Sequence, residues 1–237
     1  MPTETTKSIF LTGAREASPF ILEVGPFGLL FGVVATEAGL NVLETMTFSI
    51  LVIAGAAQLT ALQLMTENAP TIIVIISALA VNLRMAMYSA SLAPYIGPAP
   101  LWQRALAAYF LVDQSYGLAA VKYETEPAWT VRQRMAYFFG TIAPVCPFWY
   151  LSTLAGALIG SSVPEWLALD FAMPITFIAL IAPALRTRAH VAAALVSITV
   201  ALGLAFLPYN LGLLVAGIAG MVTGAEVERQ TMKRAAS

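Results

Sequence analysis

Long apolar runs separated by short polar breaks set the pattern of this chain. Eight apolar segments lie near residues 18–40, 45–65, 71–93, 102–121, 135–160, 164–185, 190–206 and 208–225. Each approaches or exceeds the roughly 20 residues that an α-helix needs to cross a bilayer. The breaks carry turn chemistry: "TENAP" at 66–70, "PYIGPAP" at 94–100, "YETEPAW" at 123–129, "GSSVPE" at 160–165 and "RTRAH" at 186–190. No window shows the two-residue alternation of a membrane barrel strand, so the spans are predicted to be helices.

The pattern therefore predicts an all-α, polytopic transmembrane bundle of seven or eight spans. It forms a single domain over residues 1–237, with 1–17 and 226–237 as cytoplasmic ends. The first segment carries the doubt in the count. "EASPFILEVGPFG" holds Pro19, Glu23, Gly25, Pro26 and Gly28, which predicts a broken or re-entrant segment rather than one continuous helix. A faint similarity between "GLLFGVVATEAG…LVIAGAAQLTAL" and "WYLSTLAGALIG…ITFIALIAPAL" suggests an internal repeat.

Composition agrees with a membrane protein. Hydrophobic residues make up 59% of the chain and charged residues 11%, with a mean hydropathy of +0.81; soluble domains carry about 25% charge. The net charge of −1, from 12 basic and 13 acidic residues, argues against nucleic acid as a partner. Cys146 is the single cysteine, so neither a disulfide scaffold nor a cysteine-only metal site is available, and no metal or other cofactor is expected. The first 18 residues are polar and mixed in charge, without the apolar core of a cleavable signal peptide. With the N-terminus inside and eight crossings, Lys7, Arg15, Lys122, Arg132, Arg134, Arg186, Arg188, Arg229, Lys233 and Arg234 all fall on the cytoplasmic side. Only Arg104 falls near an outer helix end.

The stretch "VNLRMAMYSASLAP", residues 81–94, breaks the apolar rule in the middle of a span. A charge at mid-membrane is costly and by default marks a function or an internal partner. Arg84 and, on the next segment, Asp113 lie within about one helical turn of the same depth, so their positions allow them to meet. Ser77, Arg84, Tyr88 and Ser91 share one helix face, and Tyr109, Asp113 and Tyr116 share a face of the following one. Asn82 points about 160° away from Arg84, together with Ser89. Either the helix is wedged between two polar surfaces or it unwinds near Asn82.

Each candidate has a structural alternative. Arg84 and Asp113 either neutralise each other or contact substrate and coupling ion. Glu23 is either a proton or amine site at a helix break or an interfacial carboxylate. Gln58, in "AGAAQLT", either hydrogen-bonds a neighbouring helix or lines the site. Asp170 reads as an outer-interface cap, His190 as a solvated inner-edge histidine, and Cys146 as packing. The pairs Gly28/Gly32, Gly156/Gly160 and Gly220/Gly224 predict close helix packing. The stripe of Asn210, Gly217 and Gly224 predicts a contact with another helix or a partner subunit.

The stretches "GPFGLLFG" (25–32), "AGAAQLTAL" (54–62), "VNLRMAMYSASLAPY" (81–95) and "LDFAMPITFIALIAPAL" (169–185) resemble the AzlC family, large subunits of two-component branched-chain amino acid exporters. The resemblance covers about Ala14 to Gly224. It implies a bacterial inner-membrane protein that exports amino acids such as valine, leucine and isoleucine with a small AzlD-type membrane subunit. Met85 stands where the family pattern leads one to expect histidine, which puts histidine-based proton coupling at that position in doubt. A zwitterionic substrate requires a cation, an anion and an apolar pocket. Arg84, Asn82, Asp113, Tyr88 and Gln58 are the candidate binding residues, and Asp113 and Glu23 the candidate coupling carboxylates. With one histidine and one cysteine the residues for a membrane-embedded enzyme are scarce, so the expectation is a proton-coupled secondary transporter. A passive channel and a structural or assembly subunit remain as alternatives.

Overall fold

A computed structural model describes residues 5–160, 185, 187–207 and 211–235. Among them every regular element is a helix. In chain order these are α1 (Thr6–Ala17), a 3-10 turn (Ser18–Phe20), α2 (Ile21–Glu37), α3 (Val42–Leu51), α4 (Gly55–Thr66), α5 (Thr71–Ile96), α6 (Leu101–Tyr109), α7 (Asp113–Thr125), α8 (Val131–Gly160), α9 (Arg188–Gly203) and α10 (Leu211–Ala235). They belong to two compact units, one within Met1–Leu62 and Ala78–Leu167, the other within Gln63–Ser77 and Ala168–Ser237. Four stretches of the described residues are long and apolar enough to cross a membrane: Thr6–Glu37, Thr71–Ile96, Val131–Gly160 and Leu211–Lys233.

The breaks in helicity fall elsewhere than the sequence predicts. The first segment is close to continuous, because Pro19 sits at the start of the 3-10 turn and Pro26 is accommodated inside α2. By contrast, the segments expected as spans at 45–65 and 102–121 are each split, at residues 52–54 and 110–112. At about 1.5 Å per residue, α3 with its 10 residues and α6 with 9 reach only about half of a 30 Å hydrocarbon core. The count of seven or eight full-length spans is therefore not what the described residues contain. Nor does the chain unwind near Asn82: α5 is one helix through that position.

Local chemistry accounts for these interruptions. Val52 and Ile53 place two β-branched side chains ahead of Gly55, a weak helical sequence. At the second break, the Ser115 hydroxyl accepts from the Val112 N–H at 3.0 Å and lies 2.9 Å from the Val112 carbonyl, giving the backbone a non-helical partner. Asp113 then opens α7 with a negative charge at the positive end of the helix dipole. α3 starts with a reciprocal cap in which Asn41 and Glu44 each accept the other's backbone N–H. Gly39, at φ +94°, ends the preceding helix with a left-handed residue, and the Leu40 N–H returns to the Ala35 carbonyl.

In the first unit α1 and α2 run parallel to α8, joined by facing glycines. A Cβ on Gly13 would meet the Tyr137 carbonyl oxygen, one on Gly32 the Thr153 oxygen, and one on Gly156 the Leu29 oxygen. The expected close packing of Gly28/Gly32 and Gly156/Gly160 is thus present, between α2 and α8. Where those helices meet α3, Trp149 donates its indole N–H to the Ser49 hydroxyl at 2.8 Å, and Ser49 lies 3.3 Å from the Thr153 hydroxyl. Phe31 packs edge-on against Phe48 and stacks over Trp149.

In the second unit α9 and α10 form an antiparallel pair, with Gly220 against Ser197 and Gly224 against Ala193. Of the predicted stripe, Gly224 packs against α9 while Gly217 faces open space rather than another helix of the described residues. Asn210, Asp170 and nearly all of the 169–185 motif, with the "ITFIALIAPAL" stretch of the suggested repeat, lie outside the described residues. Cys146 is buried in α8, and His190 is exposed in the first turn of α9.

Candidate functional site

α5 presents two unlike faces. Ile72, Ile75, Leu79, Leu83 and Met87 are exposed apolar side chains of the kind that contact hydrocarbon, while Arg84, Tyr88, Ser91 and Tyr95 turn toward α7. Arg84 and Asp113 do meet: Arg84 Nη1 lies 2.8 Å from Asp113 Oδ2. Tyr88 donates its hydroxyl to the other carboxylate oxygen at 2.9 Å. Tyr116 stacks on Tyr88, ring centroids 4.0 Å apart and planes within 8°, and its hydroxyl reaches Ser91 at 3.3 Å. The break at 110–112 makes this geometry possible, because it puts Asp113 at the very start of α7 beside the middle of α5.

The pair is not closed off. Its side chains are 35% and 42% exposed. Arg84 Nε is buried without a hydrogen-bond partner, as is the Asn82 side-chain oxygen. A guanidinium has five N–H donors, and only one nitrogen of this one is engaged with Asp113. Beside the break, a cavity of about 340 Å³ between α5 and α6 is lined by Ser89, Leu92, Ile96, Ala105, Leu111 and Phe138, with others.

Of the residues singled out in the sequence, Arg84, Asp113 and Tyr88 come together. Asn82 lies on the far side of α5. Gln58 is fully buried in α4 with neither amide atom hydrogen-bonded, so the expected bond to a neighbouring helix is absent. Glu23 is exposed in the first turn of α2, and no hydrogen bond or ion pair joins it to Arg84 or Asp113 among the described residues. Tyr109 does not share a helix with Asp113, since it closes α6 on the other side of the break. Its hydroxyl donates to the Ile50 carbonyl at the end of α3 and lies 3.3 Å from the Tyr150 hydroxyl of α8.

A second polar cluster escaped the sequence reading. Lys122 pairs with Glu16 at 3.0 Å, Tyr137 donates to the other Glu16 oxygen, and Lys122 lies over the rings of Trp129 and Tyr137. Arg134 stacks over Tyr95 and Tyr123, and Tyr123 donates to the Arg134 carbonyl at 2.7 Å. Glu16 falls in a stretch whose mixed charge suggested a solvated end, and no spacing rule links it to Lys122, 106 residues away. Among the described residues no group of three or more histidine, cysteine or acidic side chains is placed to hold a metal.

Apolar helices of membrane-spanning length, one of them carrying the arginine of a half-exposed ion pair, define the class: an integral membrane protein of the helical type. The AzlC protein family model matches residues 19–163, more than half of the chain, and the chain belongs to the AzlC family. It is 25% identical over 224 residues to the inner membrane protein YgaZ of Escherichia coli (strain K12), covering 91% of this chain and 87% of YgaZ. It is also 27% identical over 218 residues to an uncharacterized membrane protein of Archaeoglobus fulgidus, covering 90% and 93%. A membrane protein of Helicobacter pylori is 24% identical over 72% of this chain. No solved structure matches.

Proposed function

We propose that this protein is a proton-coupled secondary transporter, not an enzyme, that exports branched-chain or related apolar amino acids across the bacterial inner membrane together with a small AzlD-type subunit. Membership of the AzlC family supports a role in membrane transport. The observation that carries the finer reading is the half-open Arg84–Asp113 pair with an unpartnered Arg84 Nε. The free edge of the guanidinium suits a bidentate grip on the substrate carboxylate. Asp113 and the Tyr88 hydroxyl would receive the ammonium group. Competition between the substrate carboxylate and Asp113 for Arg84 would link substrate binding to proton exchange at Asp113.

The test is counterflow in vesicles containing the purified protein, with and without the small subunit, against a panel of amino acids. Arg84→Ala is expected to abolish flux while the protein stays in the membrane. The double change Arg84→Asp with Asp113→Arg preserves a purely structural pair, so restored flux in it would refute the substrate role.

A further inference from the structure

The contacts of the first unit fix the direction in which each helix runs. Arg84 meets Asp113, Tyr88 stacks on Tyr116, and Tyr95 packs against Tyr123, so α5 and α7 are parallel. Tyr123 bonds the Arg134 carbonyl, and Glu16 binds both Lys122 and Tyr137. The end of α5, the end of α7 and the starts of α1 and α8 therefore share one face of the protein. α6 starts on that face too, since only four residues separate it from α5. It must then run inward to the break at 110–112, and α7 returns.

The opposite face is built in the same way. α2 runs parallel to α8 and away from the first face, so α3 begins on the second face after the short link 38–41. It runs inward until Ser49 meets Trp149 and the Ile50 carbonyl meets Tyr109. α5, 26 residues long, starts about 39 Å from its end on the first face. The four-residue link 67–70 spans at most about 18 Å, so α4 must lead back to the second face.

We propose that residues 42–66 and 101–125 are two re-entrant hairpins entering the membrane from opposite faces, and that the Arg84–Asp113 site lies where their tips touch. The two hairpins match at both ends, with Val42 and Leu101 59 residues apart and Thr66 and Thr125 likewise. A long helix precedes each, α1–α2 before one and α5 before the other, running in opposite senses. This is the form of an inverted repeat, whose junction near the midplane is where transporters of that build place their sites.

Charge supports the arrangement independently. On the first face lie Lys7, Arg15, Arg104, Lys122, Arg132 and Arg134, all the basic residues up to position 160 except Arg84. Near the second face the charged residues are Glu37, Glu44 and Glu67, with no lysine or arginine. By the positive-inside rule the first face is cytoplasmic, and Arg104, misplaced by eight simple crossings, joins the other cations.

Single cysteines introduced into a Cys146→Ala background test this with a membrane-impermeant maleimide on intact cells and on inverted vesicles. Leu40→Cys and Thr66→Cys are expected to label only from outside, and Pro98→Cys and Ala128→Cys only from inside. Labelling after detergent permeabilisation confirms that each thiol is reactive. Eight simple crossings would place the two members of each pair on opposite sides, and that outcome for either pair overturns the proposal. The placement of the site rests on the transport reading above, but the labelling does not, so the two fail separately.

Discussion

Replacing Gly156 with alanine tests the packing of α2 against α8 at its tightest point. The added Cβ would lie 1.9 Å from the Leu29 carbonyl oxygen, 2.8 Å from its carbon and 3.0 Å from its Cα. All three atoms are backbone, so no rotamer change relieves the clash and the helices must separate by roughly 1 Å or more. A gap of that size forfeits about a quarter to a half of the dispersion energy of the contacts it opens. Gly32 against Thr153 and Gly28 against Ser152 lie on the same seam and loosen with it. Overpacking of this kind costs about 3 kcal/mol at the upper end of its usual range, offset by about 1 kcal/mol from the better helix propensity of alanine. The net loss of about 2 kcal/mol corresponds to a fall in Tm of roughly 4–8 °C for a chain of this size. Gly117→Ala in α7 is the matched control, because nothing lies within 4 Å of its Cβ position. It retains the propensity gain alone and should melt roughly 2–4 °C higher than the parent. The assay is thermal melting of both variants in one detergent, followed by the recovery of monodisperse protein on size exclusion. Equal melting temperatures for the two variants would refute the reasoning.

Two further outcomes follow from unpartnered or competing polar groups. Gln58→Leu removes a fully buried amide that has no hydrogen-bond partner and should stabilise the protein by about 1–3 kcal/mol; a lower Tm would show that the amide is satisfied in the membrane. Asp113→Asn should weaken exchange of substrate across the vesicle membrane, through loss of the charge that faces the ammonium, but abolish uphill export; equal loss of both modes would confine Asp113 to binding or structure and remove it from coupling.

Much of the chemistry was legible in the residues themselves. A charge inside an apolar run is expensive wherever the run folds, so Arg84 and Asp113 stood out by composition and depth alone. Helical periodicity placed Tyr88 and Ser91 beside Arg84, and the small residues at 28, 32, 156 and 160 announced a close helix contact. These are local properties: a period, a cost of burial, the absence of a side chain.

What the tertiary structure decided was continuity and direction. Prolines at 19 and 26 read as breaks, yet the facing glycines and Tyr137 hold α1 and α2 along α8, and neighbouring helices let a proline be tolerated. Conversely, "SILVIAGAAQ" and "YFLVDQSYG" read as unbroken apolar spans, although each changes course in the middle. An apolar run has the same hydropathy whether it crosses the membrane or turns back, because hydropathy has no sign of direction. Only long-range pairs record the turn: Tyr109 with the Ile50 carbonyl, Glu16 with Lys122, Tyr95 with Arg134. Each joins residues 39 to 106 positions apart in the chain, a separation over which no local periodicity operates.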